Sequence, residues 1–376
     1  MSFPDFINNL LSTSALGVLI IPLLQKSKFH NEIINSFYFS ILKISIVFIF
    51  ITTGLAFMLY ENYFALILVL SLISTIPNLF NVVLSSYLNF KSHFLWPSFG
   101  TLFFLIPILI AILFKFNLFL ISASIILGSF IRLFPNLIAS SKFGLKINIY
   151  KLVNNKVYVP KYKDILVAIL SSGIFLILPI IDKIFASLID NGSASLMSFS
   201  EKIIMIPVSL VITPMTISNF PRISKLIFKS ENKVVKSYIN LNYLIILALS
   251  LSVVIVLYFL NDLIVRILFG FVSLSAHNLN DISIYLNAFL VYVFFSGLNL
   301  MNYNLLYAKN HLNFVLKLSS ALVIFKIILN ILAVNLFSSS LLIVYSTSFM
   351  ALLQFIVSYI YLLKRKSSSN EAYSII

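Results

Sequence analysis

The chain of 376 residues contains no cysteine. Disulfides, thiolate metal sites and iron–sulfur clusters are excluded by that absence. Its four histidines, His30, His93, His277 and His311, are too scattered for a metal site, and no H-E-x-x-H occurs. There is no G-x4-G-K-[ST] loop, so no built-in P-loop ATPase, and no recognisable Ser-His-Asp set. No cofactor is expected. Charge is scarce too, at 10% of residues against 60% hydrophobic. No soluble core of this size needs so much apolar surface, and the composition is that of a polytopic membrane protein. The net charge of +15 does not point to nucleic acid. The basic residues lie in short loops between apolar spans, where they set membrane orientation.

Eleven runs are long enough for a bilayer of about 30 Å at about 1.5 Å per residue: 3–24, 35–60, 63–88, 95–113, 118–140, 162–189, 194–220, 235–260, 283–308, 312–336 and 341–363. They are continuous rather than alternating, which predicts helices and not barrel strands. One alternate set of loops carries Lys26 and Lys28; Lys91; Lys142, Lys146, Lys151, Lys156, Lys161 and Lys163; Arg222, Lys225, Lys229, Lys233 and Lys236; Lys309; and Lys364, Arg365 and Lys366. The other set carries only Lys115 and Arg266. The first set, and the C-terminus with it, is expected in the cytoplasm. The N-terminus then falls outside with no signal peptide before it, and an absent first helix is the simplest expectation.

Internal echoes point the same way. Pro4 to Pro22, with a basic turn after it, resembles Pro207 to Pro221 with RISKLIFK after it. Asn81, Lys91 and His93 recur at equal spacing as Asn299, Lys309 and His311. Each echo pairs an element with one six spans later, so a six-helix unit repeated about an axis along the membrane normal is expected. The expected architecture is all-α, with about eleven transmembrane helices in two pseudo-symmetric lobes (five plus six). The expected domains are an N-terminal lobe, 1–140; a basic cytoplasmic linker, 141–161; a C-terminal lobe, 162–364; and a cytoplasmic tail, 365–376.

The stretch from Ile181 to Leu226 carries the chemistry. Within apolar sequence it holds Asp182–Lys183, Glu201–Lys202 and three prolines, Pro207, Pro214 and Pro221. A charge in hydrocarbon costs roughly 2.5–3.5 kcal/mol on insertion scales, so such residues usually serve a site. Neighbours at i,i+1 diverge on a helix. Pairing across helices is open in two ways, Asp182 with Lys202 or Lys183 with Glu201. Either the charges lock a helix hairpin, or Lys202, with Lys183, faces a cavity and binds an anion. Arg132 and Lys326 also lie inside spans, with snorkelling to the interface as the alternative. Prolines inside spans kink helices and free carbonyls, which makes Pro207, Pro214 and Pro221 hinge candidates.

The order D-K-x-F-A-S, G-S-x-S, E-K, then P-x13-P and R-I-S resembles the seventh and eighth helices of the lipid II flippase family, MurJ/MviN. The resemblance runs in register to Leu363, without the family's first helix or the two extra C-terminal helices of many members. It implies the fold of the multidrug/oligosaccharidyl-lipid/polysaccharide exporters and a flippase, not an enzyme, in the bacterial inner membrane. Lys202 stands where the family has an arginine in a central cationic cavity, and Asn8–Asn9 stand where it has an Arg-Arg pair. The cationic site is thus depleted, and lysine loses bidentate phosphate binding. The implied substrate is a polyprenyl-diphosphate-linked saccharide, lipid II or a similar peptidoglycan precursor. Movement would be by alternating access within membrane lipids, with coupling to the membrane potential or an ion. Alternatives are a flippase for O-antigen or other surface-polysaccharide intermediates, an inactive truncated membrane protein, and a membrane glycan polymerase. The last would need a larger outer loop than Asn261–Asp281.

Overall fold

The computed structural model describes residues 15–27, 29–59, 66–67, 69, 72–146, 162–190, 192–228, 232–270 and 274–364. Asn8–Asn9, Pro4, the linker residues 147–161 and the tail 365–376 lie outside the described residues. Among the described residues every regular element is helical. In order these are α1 (Ala15–Lys26), α2 (His30–Leu59), α3 (Thr75–Phe90), α4 (Leu95–Leu113), α5 (Leu118–Lys142), α6 (Tyr162–Gly173), α7 (Leu178–Ser187) and α8 (Ser193–Pro207). They continue with α9 (Thr213–Phe228), α10 (Asn232–Phe259), α11 (Asn261–Phe269), α12 (Ala276–Ala308), α13 (Leu312–Asn335) and α14 (Ser340–Lys364).

Among the described residues eight helical stretches are long and apolar enough to cross a membrane. They coincide with the expected spans from Leu95 onward, and the fourth, Leu95–Leu113, matches end for end. Three further helices, α1, α2 and α3, lie within or across the first three expected spans, parts of which fall outside the described residues. Hydrocarbon offers no partner for a bare N–H or C=O, and the helices meet that demand internally. Exposed Leu102, Leu109, Phe130, Phe134, Leu244 and Ile324 give them a lipid-compatible exterior.

The chain divides into two compact units, residues 1–176 and 177–376. The division falls inside the sixth expected span, at a 3-10 turn, Ile174–Ile177, between α6 and α7. In the first unit α3 packs against α1, α2 and α5, while α4 lies along α5. Gly128 allows that last approach: a Cβ there would stand 2.5 Å from the Phe104 carbonyl oxygen. In the second unit α12 is the hub, packed by α8, α9, α10, α11 and α14. The core is aliphatic and aromatic, with Ile204, Ile212, Ile282, Leu286, Val293 and Val344 all buried.

The sequence echo has a structural counterpart in each unit. At the end of α3 the chain turns through Ser92 at φ 64°, and at the end of α12 through Asn310 at φ 60°. His93 N–H donates to the Leu88 carbonyl at 2.8 Å, and His311 N–H to the Leu306 carbonyl at 2.8 Å. Both are helix-ending left-handed turns closing back five residues. His93 stacks on Phe143 with centroids 3.6 Å apart, and His311 meets Tyr361 edge-on at 5.5 Å. Phe143 and Tyr361 stand at the same sequence offset as the two histidines.

Candidate functional site

The span containing α8 and α9 does not run as one α-helix. Pro207 and Pro214 each lack an N–H, and each ring clashes with the carbonyl four residues back. Between them Val208–Ile212 forms a π turn, in which Thr213 N–H reaches the Val208 carbonyl. The extra residue relieves the clash and turns the α8 face relative to α9. Opposite this turn lies Gly297 of α12, where a Cβ would stand 2.8 Å from Ile212 Cγ2 and 2.7 Å from Ser250 Oγ. Pro221 is buried within α9.

The five charged residues singled out within the second unit's spans, Asp182, Lys183, Glu201, Lys202 and Lys326, sort into two pairs and a remainder. Lys183 of α7 meets Glu201 of α8 at 2.8 Å, with side chains 22% and 19% exposed. That is one of the two pairings open from the sequence. The other, Asp182 with Lys202, does not form. Asp182 instead faces Lys326 of α13, with Oδ1 3.0 Å from Nζ and both side chains buried. Asn330 Nδ2 donates to Asp182 Oδ1 at 2.7 Å, and Thr347 Oγ1 donates to Oδ2 at 2.8 Å. The Lys326 ammonium also reaches Ser346 Oγ at 2.5 Å, Thr347 Oγ1 at 2.7 Å and the Ile343 carbonyl at 2.8 Å. Lys326 is fully buried, and its ammonium turns inward to these oxygens. The reason is its position: Asp182, one turn from the end of α7, lies at the same depth and takes the ammonium.

Lys202 is the remainder. It is exposed, and among the described residues no carboxylate pairs with it. Buried polar groups line the same unit: Ser200 Oγ donates to the Ile282 carbonyl at 2.9 Å, and Asn302 Nδ2 to Ser358 Oγ at 2.7 Å. Tyr243 hydroxyl donates to Asn302 Oδ1.

In the first unit Arg132 of α5 is half-buried, and its Nε has no protein hydrogen-bond partner. Its stem lies against Gly100 of α4, and one turn on Asn136 Nδ2 donates to Asn81 Oδ1 at 2.5 Å. The Asn81–Asn136 bond, like Asn330 beside Asp182, was not singled out from the sequence. The available signal was the recurrence of asparagine at helical spacing inside apolar spans.

These features frame the comparisons with known proteins. The family model described as "Lipid II flippase MurJ" matches residues 1–375. No curated protein matches the chain. Among solved structures, a lipid II flippase MurJ in an inward closed conformation aligns with TM-score 0.66 at 15% identity, covering 96% of this chain and 79% of that one. A MATE transporter of Vibrio cholerae aligns with TM-score 0.76 at 13% identity, covering 98% and 86%. A MOP superfamily transporter of Pyrococcus furiosus aligns with TM-score 0.72 at 16% identity, covering 97% and 87%. Identities this low show the fold, and the neighbours are flippases and transporters rather than enzymes. With eight apolar spans and a family match over nearly its whole length, the chain is a multi-pass membrane protein that belongs to the lipid II flippase MurJ family.

Proposed function

We propose that the protein is a flippase carrying a polyprenyl-diphosphate-linked saccharide of the lipid II type from the inner to the outer leaflet of the bacterial cytoplasmic membrane. One observation carries the reading. Two carboxylates of the Asp182–Lys202 hairpin are already used, Glu201 by Lys183 and Asp182 by Lys326, and the third, Asp190, is exposed in the turn after α7 without an ion pair to Lys202, which leaves Lys202 as the uncompensated cation of these helices. An unpaired ammonium at this depth costs free energy that an anionic headgroup would return. A diphosphate suits it, since its oxygens accept charge-assisted hydrogen bonds from a lysine acting as a point charge. Arg132, with an idle Nε, is the second candidate contact, and Lys183 a third through its shared carboxylate. Lys326 is left out of the headgroup set because its ammonium is enclosed.

Two helical lobes of five and six spans would alternate access to the headgroup, with the lipid tail kept in the bilayer. The π turn between Pro207 and Pro214 is the proposed bending point, with Pro221 fixing the cytoplasmic end of α9. The lysine and arginine excess in one alternate set of loops supports a cytoplasmic C-terminus. With the inside negative, each net negative charge carried outward gains about 2.3 kcal/mol per 100 mV, so the potential alone can drive the cycle.

The test is rescue. The chain is expressed in bacteria depleted of their own lipid II flippase, and lipid II exposed on the outer leaflet is assayed. Restored exposure that vanishes with Lys202→Ala, at unchanged folded protein, is the expected result. No exposure from protein shown to be in the membrane would overturn lipid II as cargo. A parallel loss of folded Lys202→Ala protein would assign the residue to structure.

A further inference from the structure

We infer that a cleft in the first unit, between the start of α2, the end of α3 and the turn after α5, binds an ethanolamine phosphodiester, the headgroup of a zwitterionic phospholipid. The inference rests on the first unit alone and not on the cargo.

The cleft measures about 380 Å³, within the range of small-molecule sites. Its walls are tied together by the protein. Tyr87 hydroxyl donates to the Phe143 carbonyl at 2.8 Å, and Lys146 N–H donates to Asn31 Oδ1 at 3.2 Å. Gly144, at φ 91°, supplies the left-handed step between those two contacts.

Two charges of opposite sign line this cleft, Glu32 and Lys91, and they do not pair. Among the described residues neither forms any ion pair. Lys91 Nζ lies instead by the rings of Tyr87 and Phe90, 5.8 and 5.7 Å from their centroids. Glu32 Oε2 is buried without a hydrogen-bond partner. Such an oxygen costs free energy that a ligand N–H would return. Burial, and then the Lys91 charge, hold the His30 imidazole below its usual range, so it adds no charge at neutral pH. One cation and one carboxylate thus share the cleft without neutralising each other. A ligand that carries one of each satisfies both, its phosphate oxygens on Lys91 and its ammonium on Glu32. A purely anionic headgroup would set like charge against Glu32, and a choline headgroup has no N–H to give.

Position points to a lipid as the source. The cleft lies where α2 begins and α3 ends, at the level where spans leave the hydrocarbon. Phe29 on its rim is 60% exposed, and Trp96, the single tryptophan of the chain, stands at the start of α4, five residues after Lys91. Aromatic side chains at helix ends are typical of headgroup depth.

The purified full chain in detergent is titrated with dioctanoyl phosphatidylethanolamine, with its choline and glycerol counterparts, and with glycerophosphoethanolamine. Binding is read by calorimetry, and folding by the melting temperature without lipid. The ethanolamine lipid should bind saturably, about tenfold tighter than the other two lipids, as for one charge-assisted hydrogen bond. Glu32→Gln should erase that preference. Lys91→Gln should weaken all three lipids alike, because each has the phosphate. Equal affinity of the three lipids for the natural chain would overturn the inference, as would a folded Glu32→Gln that keeps the preference. Should Glu32→Gln not fold, N-methylated ethanolamine lipids test the same contact on the natural chain. Each methyl removes an N–H and should weaken binding stepwise, and unchanged binding would refute the contact. Glycerophosphoethanolamine has the headgroup without acyl chains. Much weaker binding of it than of the lipid is expected, and equal binding would overturn a lipid as the source.

Discussion

At the scale of single residues, the decisive fact is which charge meets which. Asp182 is next to Lys183 in sequence, yet its partner is 144 positions away on α13. Sequence reasoning located the charged residues and left Lys183 with Glu201 as one of two open pairings, because those helices are consecutive and their charges lie at matching depth. It could not locate the partner of Asp182, since nothing local says that α13 rather than α8 presents its cation to Asp182. Removing one member of a buried pair costs about 3–5 kcal/mol, because the survivor is left charged and dry. Asp182→Ala is therefore expected to lose most folded protein, measured as monodisperse yield from membranes, while Glu201→Ala, at a partly exposed pair, should lose less. Equal losses would contradict the difference in burial. Arg132 has no such partner for its Nε, so Arg132→Gln should leave folded yield unchanged and lower lipid II exposure in the rescue assay. A fall in yield with unaltered transport per molecule would instead make it a packing residue.

At the scale of elements, close packing is set by glycines and prolines whose positions were legible but whose partners were not. The prolines pointed to kinks; that Pro207 and Pro214 bracket a π turn depends on where the hydrogen bonds go once two N–H groups are missing. Gly128 and Gly297 illustrate two costs of adding one methyl. At Gly297 the new Cβ meets the ends of side chains, Ile212 Cγ2 at 2.8 Å and Ser250 Oγ at 2.7 Å, which can rotate or shift. At Gly128 it meets backbone, the Phe104 carbonyl oxygen at 2.5 Å, which moves only with α4 itself. Overpacking costs about 1–3 kcal/mol, and the backbone clash belongs at the upper end. Gly128→Ala should therefore lower the melting temperature more than Gly297→Ala. The reverse order would mean that α4 shifts along α5 at little cost.

At the scale of the whole molecule, the spans were legible because hydrocarbon demands a continuous apolar run of about 20 residues, and that demand is written residue by residue. The unit boundary was less so. It falls at the 3-10 turn Ile174–Ile177, inside an apolar run, because it is decided by which neighbours each half of the helix packs on and not by composition. Orientation rests on the basic loops and yields a prediction across the full length. The chain has no cysteine, so single cysteines report topology without a background. Ser92→Cys and Asn310→Cys stand in the two left-handed turns that end α3 and α12, next to Lys91 and Lys309. They should react with a membrane-impermeant maleimide only after the cells are opened. His277→Cys, beside the start of α12, and Ser338→Cys, between α13 and α14, should react in intact cells. The four answers are linked, because an error in span count reverses every site beyond it. If Ser92 and Asn310 labelled on opposite sides, an odd number of crossings would separate them, and neither the repeat of six spans nor the alternation of basic loops would survive.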